Sequence, residues 1–146
     1  MRALALDVER TIGPEASRTH ILVDFTLEPA ARTLEIEFSY EPKILSDEGR
    51  ARELAEAGIR RYGYSSDCPQ PRLHLTNFLT LSLDGPSGFR GCAHRHPPRQ
   101  RITLGETAAT PGFIPGPLEP GSWKATVSVH SVVTGQCRFQ LRVRVR

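Results

Sequence analysis

Four segments of this 146-residue chain alternate apolar and polar side chains with a period of two. Thr19 to Glu28 sets Ile21, Val23, Phe25 and Leu27 against His20, Leu22, Asp24, Thr26 and Glu28. Leu34, Ile36, Phe38 and Tyr40 alternate with Glu35, Glu37, Ser39 and Glu41. Trp123, Ala125, Val127, Val129 and Ser131 alternate with Lys124, Thr126, Ser128 and His130. Phe139, Leu141, Val143 and Val145 lie opposite Arg138, Arg142, Arg144 and Arg146. A period of two puts each apolar set on one face of an extended strand, and the polar opposite face makes the strand half-buried and antiparallel. Half-buried sheets must cover one another, which points to a sandwich.

The remaining segments fit that frame. Ala3 to Glu9 alternates weakly and reads as a first strand, with Thr11 to Ser17 as a loop around Gly13-Pro14. Leu73 to Asp84 reads as the longest strand, with Leu73, Leu75, Leu79, Leu81 and Leu83 in phase. Asn77 interrupts that row, through either a bulge near Thr76–Phe78 or burial with its hydrogen bonds satisfied. Ile102 to Leu104 is a short strand, and Thr107 to Gly121 a proline-rich crossing. Thr134-Gly135-Gln136 reads as a hairpin turn. Ser46 to Tyr62 is the one helix. Ser46 or Asp47 caps it, and Ala51, Leu54, Ala55, Gly58, Ile59 and Tyr62 form a stripe expected to pack on the core. Glu48–Arg52 and Glu56–Arg60 stand at favoured (i, i+4) spacing. The expectation is one domain over residues 1–146: a mainly β, antiparallel sandwich of jelly-roll or immunoglobulin-like type. It has seven or eight strands and one inserted helix at about 46–62.

Charge is unevenly spread. Residues 1–67 carry 13 acids and 9 bases, and residues 68–146 carry 3 acids and 10 bases, within a net charge of +3. A basic half suits an anionic ligand or an acidic partner, or pairs with the chain's own acidic half. No apolar run approaches the roughly 18–20 residues of a membrane-spanning helix, and the N-terminus lacks the pattern of a signal peptide. The three cysteines, Cys68, Cys92 and Cys137, form no CxxC pair and read as free thiols. Together these imply a cytoplasmic protein without membrane partners.

Candidate chemistry concentrates between Gly88 and Trp123. Cys92, His94 and His96 form C-x-H-x-H, which on an extended chain puts thiolate and imidazoles on one side, as zinc requires. Arg90, Arg95, Arg99 and Arg101, with the two histidines, are placed to clamp a phosphate or a carboxylate. The C-terminal RVRVR lacks interleaved aromatics, so nucleic acid is not expected. No nucleophile, phosphate-loop or dinucleotide motif is present, and carboxylates are scarce in the second half.

Ser39-Tyr40, Leu81-Ser82-Leu83 before Gly88-Phe89-Arg90-Gly91, and Ala109-Thr110-Pro111-Gly112-Phe113-Ile114-Pro115-Gly116-Pro117-Leu118 with Pro120-Gly121-Ser122-Trp123 occur in that order. This series resembles the N-terminal β-sandwich of CehA/McbA-type metallohydrolases, of the PHP (polymerase and histidinol phosphatase) superfamily. The resemblance spans most of the chain. In that family the sandwich precedes a catalytic metal-binding barrel; the resemblance here is to the sandwich without the barrel, and implies an accessory domain that helps to bind substrate or assemble subunits. His94-x-His96 lies inside the sandwich, so the metal role of the barrel's H-x-H motif is not carried onto it, and no catalytic residue is carried over. Pro111, Pro115 and Pro117 stiffen the crossing, while Gly112, Gly116 and Gly121 permit its turns. Trp123 is expected in the core or under the crossing with its N–H bonded to it, and Arg90 on the crossing's carbonyls.

The expectation is therefore a non-catalytic binding or assembly module without a cofactor, which self-associates or pairs with a separate hydrolase subunit. The alternatives are a small zinc enzyme using Cys92, His94 and His96, and an anion- or sugar-binding domain using the loop 90–101.

Overall fold

The computed structural model describes residues 3–61, 75–93 and 95–146. Its elements run β1 (Ala3–Ile12), a 3-10 turn at Pro14–Ala16, β2 (Thr19–Leu27), β3 (Thr33–Glu41), α1 (Glu48–Arg61), β4 (Phe78–Gly85), β5 (Gly88–Cys92), β6 (Arg99–Gly105), β7 (Gly121–Ser131) and β8 (Cys137–Val145). Four antiparallel couples nest inside one another: β1 with β8, β2 with β7, β3 with β6, and β4 with β5. The chain is one long hairpin doubled back at Gly85–Gly88. Rolling that hairpin adds two more pairings, β3 with β8 and β4 with β7. The result is two four-stranded sheets, sheet A in the order β1-β8-β3-β6 and sheet B in the order β2-β7-β4-β5. This is the jelly-roll form of the sandwich.

The inward rows are those that the alternation marks. Phe25 and Leu27, Leu34 to Tyr40, Leu79 to Leu83, Ile102 and Leu104, Trp123 to Val129, and Cys137 to Val143 build one core. Phe38 packs on Phe139 with ring centroids 6.4 Å apart, and Phe25 stacks on Trp123 at 6.2 Å. Edge-tilted and offset aromatic pairs of this kind favour contact beyond their buried area.

Several boundaries depart from the sequence reading. Within the described residues the fourth strand starts at Phe78, and β7, with 11 residues, is the longest. Leu75 and Thr76 precede β4 in a looser stretch, where Thr76 bridges only Ile44. Both expectations for Asn77 hold at once: it is fully buried, and the register of β4 on β7 shifts between Phe78 and Leu79. The segment from Gly88 to Arg101 contains β5 and the start of β6, because its backbone pairs where its side chains show no period. Thr134–Gln136 does not close a hairpin: β7 lies in sheet B and β8 in sheet A, so the turn carries the chain between sheets.

Asp47 caps α1, its Oδ1 accepting from the N–H of Arg50 at 3.0 Å. An ion pair on this helix joins Arg50 to Glu53 at 3.3 Å. Its apolar stripe packs less fully than expected. Ala51 is buried, Leu54, Ala55, Gly58 and Ile59 are half-buried, and Tyr62 lies outside the described residues. A gap of about 210 Å³ lies among Leu54, Ala55, Pro14, Leu75, Val132 and Val133. The helix meets turns at this end of the sandwich instead of a sheet face, and turns offer fewer apolar side chains to pack on.

Candidate functional site

The crossing at 106–120 lies along the open edges of β5 and β6. On β5, the Cys92 N–H donates to Gly112 O at 3.0 Å and the Ile114 N–H to Arg90 O at 2.9 Å. On β6, the Thr110 N–H donates to Thr103 O at 2.9 Å, and the Thr103 N–H to Thr110 Oγ1 at 2.9 Å. Arg90 spreads its guanidinium over three carbonyls of the crossing: Ile114 O at 3.2 Å from both Nε and Nη2, Gly116 O at 3.0 Å and Pro117 O at 2.8 Å. Its other face sits 5.2 Å above the Trp123 ring. Trp123 is fully buried and donates Nε1–H to Glu119 O at 2.8 Å. Both behaviours foreseen for Trp123 occur together. Desolvation lowers the pKa of Arg90, but its hydrogen bonds all serve the crossing, so it is held as a brace.

The four loop arginines therefore do not converge. Arg95 is exposed, its carbonyl accepting from Gln100 Nε2 at 3.1 Å. Arg99 and Arg101 stand on the outer face of sheet A. There they line a groove of about 610 Å³ together with Arg138, Glu9, Glu37 and Glu41. Arg101 pairs with Glu37 at 3.5 Å, and Arg138 with Glu9 at 3.1 Å and Glu41 at 2.6 Å. The acidic strands β1 and β3 alternate with the basic strands β8 and β6 across this face, so most of its charge is already answered.

The outer face of sheet B is built differently. Register places its outward residues in rows: His20, Ser128 and Thr80; then Leu22, Thr126, Ser82 and Cys92; then Asp24, Lys124, Asp84 and Phe89. Imidazoles and hydroxyls dominate at the end near β4's start. His20 Nδ1 lies 2.9 Å from Ser128 Oγ, and His130 Nε2 lies 2.9 Å from Thr80 Oγ1. The Phe78 ring sits between two imidazoles, His96 at 4.0 Å and His130 edge-on at 4.5 Å. Partial desolvation, and then the neighbouring His20 and His96, lower the pKa of His130.

Behind His96 stands a group that sequence reasoning missed. Lys43 Nζ has four acceptors within reach: Tyr40 Oη at 2.8 Å, Asn77 O at 2.9 Å, His96 O at 2.9 Å and His96 Nδ1 at 3.0 Å. Tyr40 also donates to His96 O at 2.8 Å. Burial lowers the Lys43 pKa and raises that of Tyr40. The Asn77 amide completes the network. Its Nδ2 donates to Pro42 O and Thr134 Oγ1, each at 2.8 Å, and its Oδ1 accepts from the Val133 N–H at 2.7 Å. Lys43 and Asn77 thus pin the chain before β6 to the sandwich and fix where the His96 ring stands. The one available signal was Asn77, a polar residue in an apolar row.

The metal motif is divided by this geometry. Cys92 shares a row with Ser82, whereas His96 stacks on Phe78, four residues back along β4 and about 13 Å away at normal strand rise. His94 and Cys68 lie outside the described residues. Among the described residues no three His, Cys, Asp or Glu side chains stand close enough to share a metal ion. Cys92 is half-buried, with its thiol pKa raised by desolvation, and Cys137 is fully buried. Both are free thiols, and no described helix is long and apolar enough to cross a membrane. No family model and no curated protein sequence matches this chain.

Proposed function

We propose that the chain is a non-catalytic binding or assembly module, and that its ligand surface is the outer face of sheet B around Phe78. One observation carries this reading. The aromatic ring of Phe78 is flanked by imidazoles and lies beside the hydroxyls of Thr80 and Ser128, with no carboxylate among them. A ring with a few placed donors and acceptors, and with the Lys43 ammonium 5.8 Å from its centroid but engaged by Tyr40, Asn77 and His96, suits a neutral, hydroxyl-rich ligand such as a sugar. The anion alternative has less support, because Arg90 braces the crossing and Arg101 is paired with Glu37. The zinc alternative has less again, because Cys92 and His96 stand in different rows.

The resemblance to an accessory sandwich of metallohydrolases agrees with this reading. Its most specific residues, Arg90, Trp123 and the proline–glycine run, work here as fold determinants. A separate hydrolase subunit is then the assembly partner, and a cytoplasmic setting goes with the free thiols of Cys92 and Cys137.

Amide and imidazole shift mapping by NMR tests it, with neutral oligosaccharides in one series and phosphate and glucuronate in another. Shifts at His20, Phe78, Thr80 and His130 with a neutral sugar, weakened about tenfold in Phe78→Ala, are expected. Shifts confined to Arg95, Arg99 and Arg101 with the anions would move the function to the arginines. Silence in both series would overturn the proposal.

A further inference from the structure

The sandwich has four sheet edges, and three of them are protected in identifiable ways. The crossing bonds along β5 and β6. The edge strand β1 carries a register irregularity between Leu4 and Leu6, and sets charged Arg10 at an inward position opposite Phe139. Bulges, inward charges and covering segments are the usual devices that stop a free edge from pairing with another chain. The edge strand β2 has none of them. Its nine residues, THILVDFTL, contain no proline or lysine and run without a register shift, and no described residue bonds along the outer edge. Its outward Leu22 is 54% exposed.

We propose that β2 is a dimerisation seam for a second copy of this chain. Two copies pair β2 with β2 antiparallel about a two-fold axis at Leu22. The strand is complementary to itself in this register. Leu22 meets Leu22, Asp24 of each copy meets His20 of the other, and Ile21 meets Val23 on the inward side. The exposed leucine is thereby covered and the acid faces an imidazole, both favourable cross-strand pairings. A register shifted to centre on Val23 would instead set Leu22 against Asp24, which offers neither. The seam joins two copies of sheet B into one eight-stranded sheet, with both Phe78 surfaces on the same side.

Sedimentation velocity on the full chain, from about 5 µM to about 500 µM, tests this by mass action. A concentration-dependent dimer is expected. Leu22→Lys, which sets a charge at the centre of the seam on an already exposed site, is expected to weaken it at least about tenfold. A monomer throughout the range, or a dimer indifferent to Leu22→Lys, would overturn the inference. The register has its own check under mild oxidation, in a background carrying Cys68→Ser and Cys92→Ser. Leu22→Cys is expected to cross-link two copies, because facing strand residues lie within disulfide reach. Thr26→Cys is not; equal cross-linking by both would overturn the register. His20 belongs to both surfaces, so the ligand surface is read at Phe78, Thr80 and His130, which no seam substitution touches, and the two fail separately.

Discussion

Asn77 is where one side chain decides most. Its amide ties β4 to the start of the loop after β3 and to the turn between β7 and β8. Asn77→Leu keeps the volume but leaves the Val133 N–H and Pro42 O unanswered in a buried place, and the Thr134 hydroxyl keeps only its bond to Gln136 O. The expected cost is about 2–4 kcal/mol in urea denaturation; a loss near zero would mean that water replaces the amide. His130 gives a pH signature. Its folded pKa lies below the ordinary value of about 6.5, so the folded state holds that proton less tightly than the unfolded chain. Its contribution to stability is complete above the ordinary histidine range and is lost as pH falls through the window below it. His130→Gln should flatten the fall in melting temperature between about pH 7.5 and about pH 5. An unchanged slope would assign the acid sensitivity to other groups. Asn77 was legible from the sequence because it breaks an apolar row. Lys43 was not: its partners come from β3, the start of β4 and the segment after β5, and no spacing along the chain announces that meeting.

Among the elements, the crossing is the one that turns a sequence motif into architecture. Its prolines and glycines stand out in the sequence, and so does the expectation that Arg90 and Trp123 serve it. What it pairs with does not stand out. Gly88–Cys92 is too short and too poor in alternation to read as a strand, and it pairs with β4 on one edge and with the backbone of the crossing on the other. Gly91 is the tight point. At φ 132°, a Cβ there would come within 2.5 Å of Phe113 Cα and 2.6 Å of Gly112 O. Gly91→Ala is therefore expected to cost about 2–4 kcal/mol through backbone strain and lost pairing. Hydrogen exchange should rise at the amides of Cys92 and Ile114, which bond across this seam. A stability loss with both amides still protected would place the damage in the core and not at the edge. The inward rows were legible for a contrasting reason: a strand facing a core repeats its apolar residue every second position, and that repeat survives without knowledge of the partner strand.

At the scale of the molecule, the roll of the long hairpin resolves the charge imbalance between the two halves of the sequence. Nesting β1 against β8 and β3 against β6, then rolling β8 beside β3, interleaves strands from the acidic half with strands from the basic half. Glu37 is the hub. Its carboxylate lies 3.0 Å from Arg144, 3.5 Å from Arg101 and 3.8 Å from Arg142. Single exposed ion pairs contribute little, about 0–1 kcal/mol, whereas several charges sharing one half-buried partner contribute more. Glu37→Gln keeps the shape and removes the charge, leaving Arg101 and Arg144 without that partner and Arg142 with Asp7 at 3.4 Å. The expected loss is about 1 kcal/mol at low ionic strength, shrinking in about 1 M salt, where charges are screened beyond about 3 Å. Glu28→Gln, at an exposed position with no ion pair among the described residues, is the control and should change little at either salt. If the Glu37→Gln loss persists undiminished at high salt, hydrogen bonding holds sheet A's outer face together and charge does not. The uneven distribution of acids and bases along the chain would then have no role in the fold.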